Sequence, residues 1–445
     1  GSLSKSNVQT ASSTGAGEIR FAWKDKPEFA ADLQFSALEY GEWQALVLAL
    51  AEMQKRQQAA ANPYAETPAS NPLPKNVKFS LDAAAEKLSV NGQGWKNAAL
   101  SAKLEDASIT VNRFAAELPG AASLNVFGIV SQGTAKNLRF EGNMETQGKS
   151  LRDALSLLDP SASSLSDEGL GDFYIRSNIF ISPEQMRLSE ADVKIDELQL
   201  SGGLVAYFDD KPRIEADVRL KDIDFDYFRN VWRGRQQNAA SAEPLLALDR
   251  SANFNWLRRL KTNVDFKVMV DHFTFLERQG DSAAFRLFAQ PGEFGIYNAR
   301  FYYPGDTVEA SFNLNVNNET PFITLVFNAA GDLDTGYFKL KPGAEKTQDE
   351  PSKERWSKEL IDMGWMEGVG GSFDISVGKL IHDGRSYDRF KMKSYLNNKT
   401  LTLQSLSFGY WDGRVDMTGS IIGGKVPGVS LGFTLTNCDI GQIIQ

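Results

Sequence analysis

Two histidines, His272 and His382, and one cysteine, Cys438, are the whole supply of imidazole and thiol in this chain of 445 residues. A Ser-His-Asp triad or a histidine-rich metal centre is hard to assemble from so little. Each histidine stands beside an aspartate at the end of an alternating run, the setting of a solvated turn. Gly428-Val-Ser430-Leu-Gly432 has nucleophile-elbow spacing, but it lies inside an alternating strand pattern with no helix after it, and that chemistry needs strand, turn and helix. Gly368-Val-Gly-Gly371 is followed by a strand pattern and by no Lys-Ser/Thr pair, so it is not a phosphate loop. Asp222-Ile-Asp224-Phe-Asp226 offers three carboxylates to a hard cation, yet only one copy of the repeat described below carries all three, which favours a solvated corner. The expectation is a protein without catalytic residues, metal or cofactor.

The bulk composition points the same way. With 48 Lys and Arg against 57 Asp and Glu, the formal charge is -9, and no local basic patch offers a field for a phosphate backbone, so nucleic acid is not an expected partner. At 42% hydrophobic and 24% charged the chain is globular in composition. A single cysteine provides neither a disulfide framework nor a thiolate zinc site. No apolar run approaches the roughly 20 residues that cross a bilayer as a helix. The opening Gly1-Ser2-Leu3-Ser4 reads as a cloning remnant rather than a secretion signal, so an excised soluble piece, with any anchor upstream, is expected.

What could position a site is a long series of strands. Apolar and polar residues alternate in runs of about 6 to 12, broken by Gly, Asn-Asn or Asp-Gly, the grammar of strands joined by tight turns. The runs include Val77 to Val90, Ala98 to Asp106, Ser108 to Phe114, Leu124 to Val130, Phe173 to Ile181, Val264 to Phe275, Phe285 to Phe288 and Thr307 to Val316. In the C-terminal third Asn397-Asn398 and Asp412-Gly413 supply the positive φ of hairpin turns, so consecutive strands there are expected to pair as a meander. Val264, Phe266, Val268 and Val270 share one face, whereas Phe273 and Phe275 fall on the other, which predicts a bulge or bend near Asp271-His272. About twenty strands are too many for a flat sheet, which must curl, close or split. Helical spacing is confined to Glu42 to Ala61, Leu151 to Leu158, Phe225 to Gly234, Phe254 to Leu260 and Lys353 to Met363. The polar stretches 61–75, 235–244 and 341–354 read as loops or linkers. Three regions follow: an N-terminal β-repeat region over 1–210, a central one over 211–340 with a helical insertion at 225–260, and a C-terminal one over 355–445.

A repeat underlies the series. Pro27 and Pro212 each open an alternating strand that ends in an acidic corner, at Leu38-Glu39 and Ile223-Asp224, and Pro321 and Pro427 repeat this with a one-residue slip. The prolines lie 185, 109 and 106 residues apart, so the last two blocks are nearly equal and the first should hold an extra set of strands. Proline is harmless at a strand start, where its missing donor is not needed.

Phe373 to Arg385, Leu401 to Arg414, Val415 to Ile421 and the Pro212 to Asp224 element together resemble the periplasmic region of the AsmA family, Gram-negative envelope proteins related to TamB. The resemblance covers most of the chain through spacing and residue type and includes no catalytic signature. It implies a long, strongly curved antiparallel sheet forming an apolar groove, a periplasmic location with an inner-membrane anchor upstream, and a role in phospholipid transport and outer-membrane homeostasis. The partners it implies are phospholipid or another acyl-chain lipid, together with envelope proteins. Period-two greasiness supplies the groove candidates, Val264, Phe266, Val268, Val270, Phe373, Ile375, Val377, Leu401 and Leu403. Two readings compete: a lipid-carrying groove, or a structural protein whose same face is fully packed and whose edges assist outer-membrane protein assembly.

Overall fold

The structure, a computed structural model, describes residues 2–23, 26–42, 44, 73–90, 92–133, 137–156, 170–227, 254–275, 277–335, 366, 368–382, 384–410, 412–424 and 427–437. Most residues of the segments expected to be helices or linkers, 45–72, 228–244 and 341–363, lie outside these. The chain forms two compact units, Gly1–Asp210 and Lys211–Gln445.

In the first unit the strands are β1 (Ser2–Gln9), β2 (Thr14–Trp23), β3 (Pro27–Glu39), β4 (Lys78–Val90), β5 (Gln93–Glu105), β6 (Ser108–Leu118), β7 (Ala122–Gln132), β8 (Leu138–Gly148), β9 (Phe173–Ile181), β10 (Gln185–Ile195) and β11 (Leu198–Tyr207). Each pairs with the next in chain order. Helix α1 (Leu151–Leu155) follows β8, its N-terminus capped by the Ser150 side chain, which accepts from the Asp153 N–H. Its Leu151 packs on Ala122 and Phe173.

The second unit holds β12 (Arg213–Asp224), helix α2 (Asn255–Arg258), β13 (Asn263–Phe275), β14 (Arg278–Gly280), β15 (Ser282–Gln290), β16 (Glu293–Tyr303), β17 (Asp306–Asn315), β18 (Phe322–Asp334), β19 (Gly370–His382), β20 (Arg385–Asn397), β21 (Thr400–Tyr410), β22 (Gly413–Ile422) and β23 (Gly428–Thr436). β14 and β15 are one interrupted strand along β13, and the order otherwise follows the chain. Among the described residues the protein is thus mainly β, each unit a mostly antiparallel sheet, with few short helices.

The C-terminal third pairs in succession as the meander expected there, but the expectation of an antiparallel sheet fails at three joints. β3–β4, β12–β13 and β18–β19 are parallel. Each follows a proline-initiated strand of the repeat, and each is bridged by a long insertion, residues 40–77, 225–262 and 335–369. Parallel neighbours cannot be joined by a two-residue hairpin and need a crossover of a dozen residues or more, which these insertions supply. Between β12 and β18, and again between β18 and β23, lie four strands if β14 and β15 count as one, and β4 to β11 fill the longer first interval.

The phase slip in β13 is a bend rather than a one-residue bulge. Its register with β12 runs unbroken from Arg213↔Asn263 to Asp224↔Thr274, so both strands turn over together. Val270 and Phe273 are both buried, at 2% and 3% exposure, although their spacing would put them on opposite faces of a flat strand. The partner strand breaks at the same level, between Gly280 and Ser282.

Candidate functional site: an apolar face in each unit

Because side chains alternate along every strand, the register of neighbours decides whether greasy positions form a continuous surface. In the first unit they do. Phe21, Phe29, Phe79, Leu104, Ile109, Val130, Phe140, Ile181, Met186 and Ala206 stand opposite one another strand by strand from β2 to β11. All except Ile181 and the buried Ala206 are partly buried. On β7, Val126, Gly128 and Val130 face this side and are partly shielded, whereas Phe127 and Ile129 on the opposite side are 54% and 47% exposed.

In the second unit four rows run across the strands. The first joins Ile214, Val264, Ala289, Phe294, Leu314, Ile323, Gly371, Leu396, Leu401, Ile421 and Val429. The second joins Ala216, Phe266, Leu287, Ile296, Phe312, Leu325, Phe373, Ser394, Leu403, Gly419 and Leu431. Val268 and Ile375 belong to the third, and Val270 and Val377 to the fourth, each with its strand neighbours. All nine groove candidates therefore lie on one face, spread over four rows. At about 4.8 Å per strand, eleven strands make each full row about 48 Å long.

The rows differ in cover. The fourth is sealed: Val270, Ala283, Val308 and Val377 are each 2% exposed. Beside it, Phe225 packs edge-on against Phe273, Phe275, Phe285 and Phe301 with ring centroids 5.9 to 6.4 Å apart. At the first row Leu257 of α2, fully buried, packs with Leu314 and Val316, with Phe254 and Leu260 beside it. Between these margins Phe266, Val268, Leu287, Ile296, Phe312, Leu325, Phe373, Ile375 and Leu403 are partly exposed. The geometry is a greasy trough with a sealed margin at the fourth row and a partly exposed floor, on which Phe312 packs against the Leu257 cluster and Phe285 against Phe225.

Leu287, Ile296, Phe312 and Leu325 escape a reading of single strands. The signal that carries them is cross-strand register, and a bulge between Ile296 and Ala299 hides it by shifting the alternation of β16. Phe225 lies within an expected helix, but nothing in its spacing marks it as a cap for the trough.

The opposite face of the second unit carries ion pairs among exposed apolar residues such as Met269, Tyr302 and Val326. The Arg286 guanidinium donates to both Asp265 oxygens at 2.6 and 2.5 Å, Arg219 to Asp271 at 2.8 Å, and Lys393 lies 3.0 Å from Asp374. Hydrogen bonding from Arg286 holds the Asp265 carboxyl below the ordinary carboxylate range. Tyr297 on β16 accepts from Asn313 at 2.7 Å, and burial pushes its hydroxyl up. A cavity of 1110 Å³ in the first unit lies against the polar side, where Lys96, Glu117, Ser123, Gln147, Tyr174 and Lys194 form one transverse row.

The chemical motifs are used structurally. Asp224 Oδ1 accepts from the N–H groups of Asp226 and Tyr227 at 2.8 and 3.0 Å, and Asp226 Oδ2 accepts from the Glu277 N–H at 2.7 Å, so these carboxylates cap backbone. His382 Nδ1 lies 2.7 Å from Thr335 Oγ1 on an exposed edge. Ser430 sits in the extended β23, and β19 begins at Gly370. Among the described residues no group of three or more His, Cys, Asp or Glu side chains is placed to hold a metal, and no helix is long and apolar enough to cross a membrane. Comparison with protein-family models, with curated proteins and with solved structures finds no match to this chain.

Proposed function

We propose that the apolar face binds the acyl chains of lipids and that the protein acts as a lipid-binding or lipid-transfer module of the Gram-negative envelope, performing no chemistry. One observation carries the reading: the two middle rows of the second unit present partly exposed Phe, Leu, Ile and Val across successive strands, in contrast to the sealed fourth row. Each CH₂ withdrawn from water contributes about 0.8 kcal/mol, so a 16-carbon chain in such a trough gains on the order of 10 kcal/mol before ordering costs. Phospholipid supply to the outer membrane, from a periplasmic position beside an inner-membrane tether, is the role that the AsmA-like pattern adds.

Native mass spectrometry before and after solvent extraction tests the reading. Bound acyl lipid, or saturable uptake of cis-parinaric acid by the stripped protein, is expected. A clean mass with no uptake favours the competing structural role.

A further inference from the structure

The face of the first unit that turns away from the greasy row holds a cavity of 1110 Å³ that the lipid reading does not use. Register builds its floor: Lys96↔Glu117, Glu117↔Ser123, Ser123↔Gln147, Gln147↔Tyr174 and Tyr174↔Lys194 bring one side chain from each of β5 to β10 into line. Six strands at about 4.8 Å make that line about 24 Å long. The rim lies at the strand ends, where the Pro119-Gly120-Ala121 turn joins β6 to β7 and the Lys149 ammonium stands 2.8 Å from Asp172. Behind the same strand ends Leu151 of α1 packs on Ala122 and Phe173, all three buried, so the wall is backed by packed side chains and stands ready-made. Its volume lies at the upper end of the clefts that take small molecules, about 300 to 1,000 Å³.

Ammonium, carboxylate, hydroxyl, amide and phenol follow one another along the floor, so hydrogen-bond donors and acceptors recur at strand spacing, and the half-buried Tyr174 puts an aromatic ring among them. Three lysines against four carboxylates give the cavity no dominant sign, which disfavours a phosphate or a polycation. Sugar hydroxyls both donate and accept, and the CH face of a pyranose ring packs on an aromatic one. We infer that this cavity binds the sugar rings of a neutral oligosaccharide, laid across β5 to β10 with one ring against Tyr174. The site lies on the face opposite the greasy row and does not depend on lipid carriage.

Gly94 offers a clean block: it lies on the cavity wall two residues before Lys96, and a Cβ there meets nothing within 4 Å, so Gly94→Trp fills open space without displacing an atom. The test screens the whole chain on an array of neutral hexose and N-acetylhexosamine oligosaccharides and titrates the tightest binder by calorimetry. Saturable binding is expected, weakened about tenfold or more by Gly94→Trp and by Tyr174→Leu and about threefold or more by Gln147→Ala, each variant folded by circular dichroism. Phe127→Ser, at a position 54% exposed on the same face but outside the lining, should leave the affinity within about twofold. High salt should change it little, since neither partner carries a dominant charge. Binding to phosphatidylcholine vesicles that carry the same sugar as a glycolipid, against binding to the soluble sugar alone, tells a headgroup from a free chain, and either agrees with the site. No binding across the array, indifference to Gly94→Trp, loss with Phe127→Ser, or binding that salt abolishes would overturn the inference.

Discussion

Val268 and Val270 lie two residues apart on β13 and point to the same face, yet the first is partly exposed and the second is 2% exposed. If the apolar face were an ordinary core, truncating either would cost alike. With a partly exposed floor and a sealed margin the two must separate. Val270→Ala removes two methyl groups from a packed site, about 1.6 kcal/mol of transfer plus a cavity contribution, about 2 to 3 kcal/mol in all. Val268→Ala loses only the shielded part of the same groups, about 1 kcal/mol or less. In urea, with a slope of about 3 kcal/mol/M, the first should lower the unfolding midpoint by about 0.7 M or more and the second by about 0.3 M or less. Binding of cis-parinaric acid should reverse the order, with Val268→Ser weakening uptake about 3- to 10-fold and Val270→Ala leaving it within about 2-fold. Equal destabilisation at both sites, with uptake unchanged by Val268→Ser, would refute the partly exposed floor.

Asp226→Ala should destabilise by about 1 to 3 kcal/mol in thermal or urea unfolding, because the Glu277 N–H loses a charged acceptor in a buried corner. Gly378→Ala should cost about 2 kcal/mol or more by the same measurement, since a Cβ there meets the Ala330 carbonyl oxygen where β18 bulges between Ala329 and Asp332. The lowered pKa of Asp265 means that its contribution is complete above the unfolded value near 4 and is lost as pH falls through the folded one. Arg286→Gln should therefore lower the urea midpoint at pH 7, and by progressively less as the pH is taken below about 4.

Much of the fold was legible because tight turns and alternation are local. Phe173 to Ile181 was bounded correctly, and the slip between Val270 and Phe273 announced the bend, since period-two spacing cannot place both on one face without one. The parallel joints were not legible. The proline, the strand and the acidic corner marked where they occur, but whether the chain returns up or down the sheet depends on the path of a long insertion, which alternation does not encode. The candidate face was legible residue by residue and not in its cover. Val268 and Val270 look equivalent in sequence, and only their different cover in the folded chain, partly exposed against 2% exposed, separates floor from margin.

The parallel joints have an arithmetic consequence. From β12 to β18, and from β18 to β23, the chain makes one step that keeps direction and four that reverse it. Four reversals return β18 and β23 to the heading of β12 with the same side chains up, which five hairpins in succession would not do. A block of this kind is a unit of length that can be added or removed without inverting what comes next. Excising residues 321–426, so that Pro427 follows Thr320, should bring Val429, Leu431 and Phe433 against β17 in place of Ile323, Leu325 and Phe327, leaving a shorter trough of unchanged cross-section.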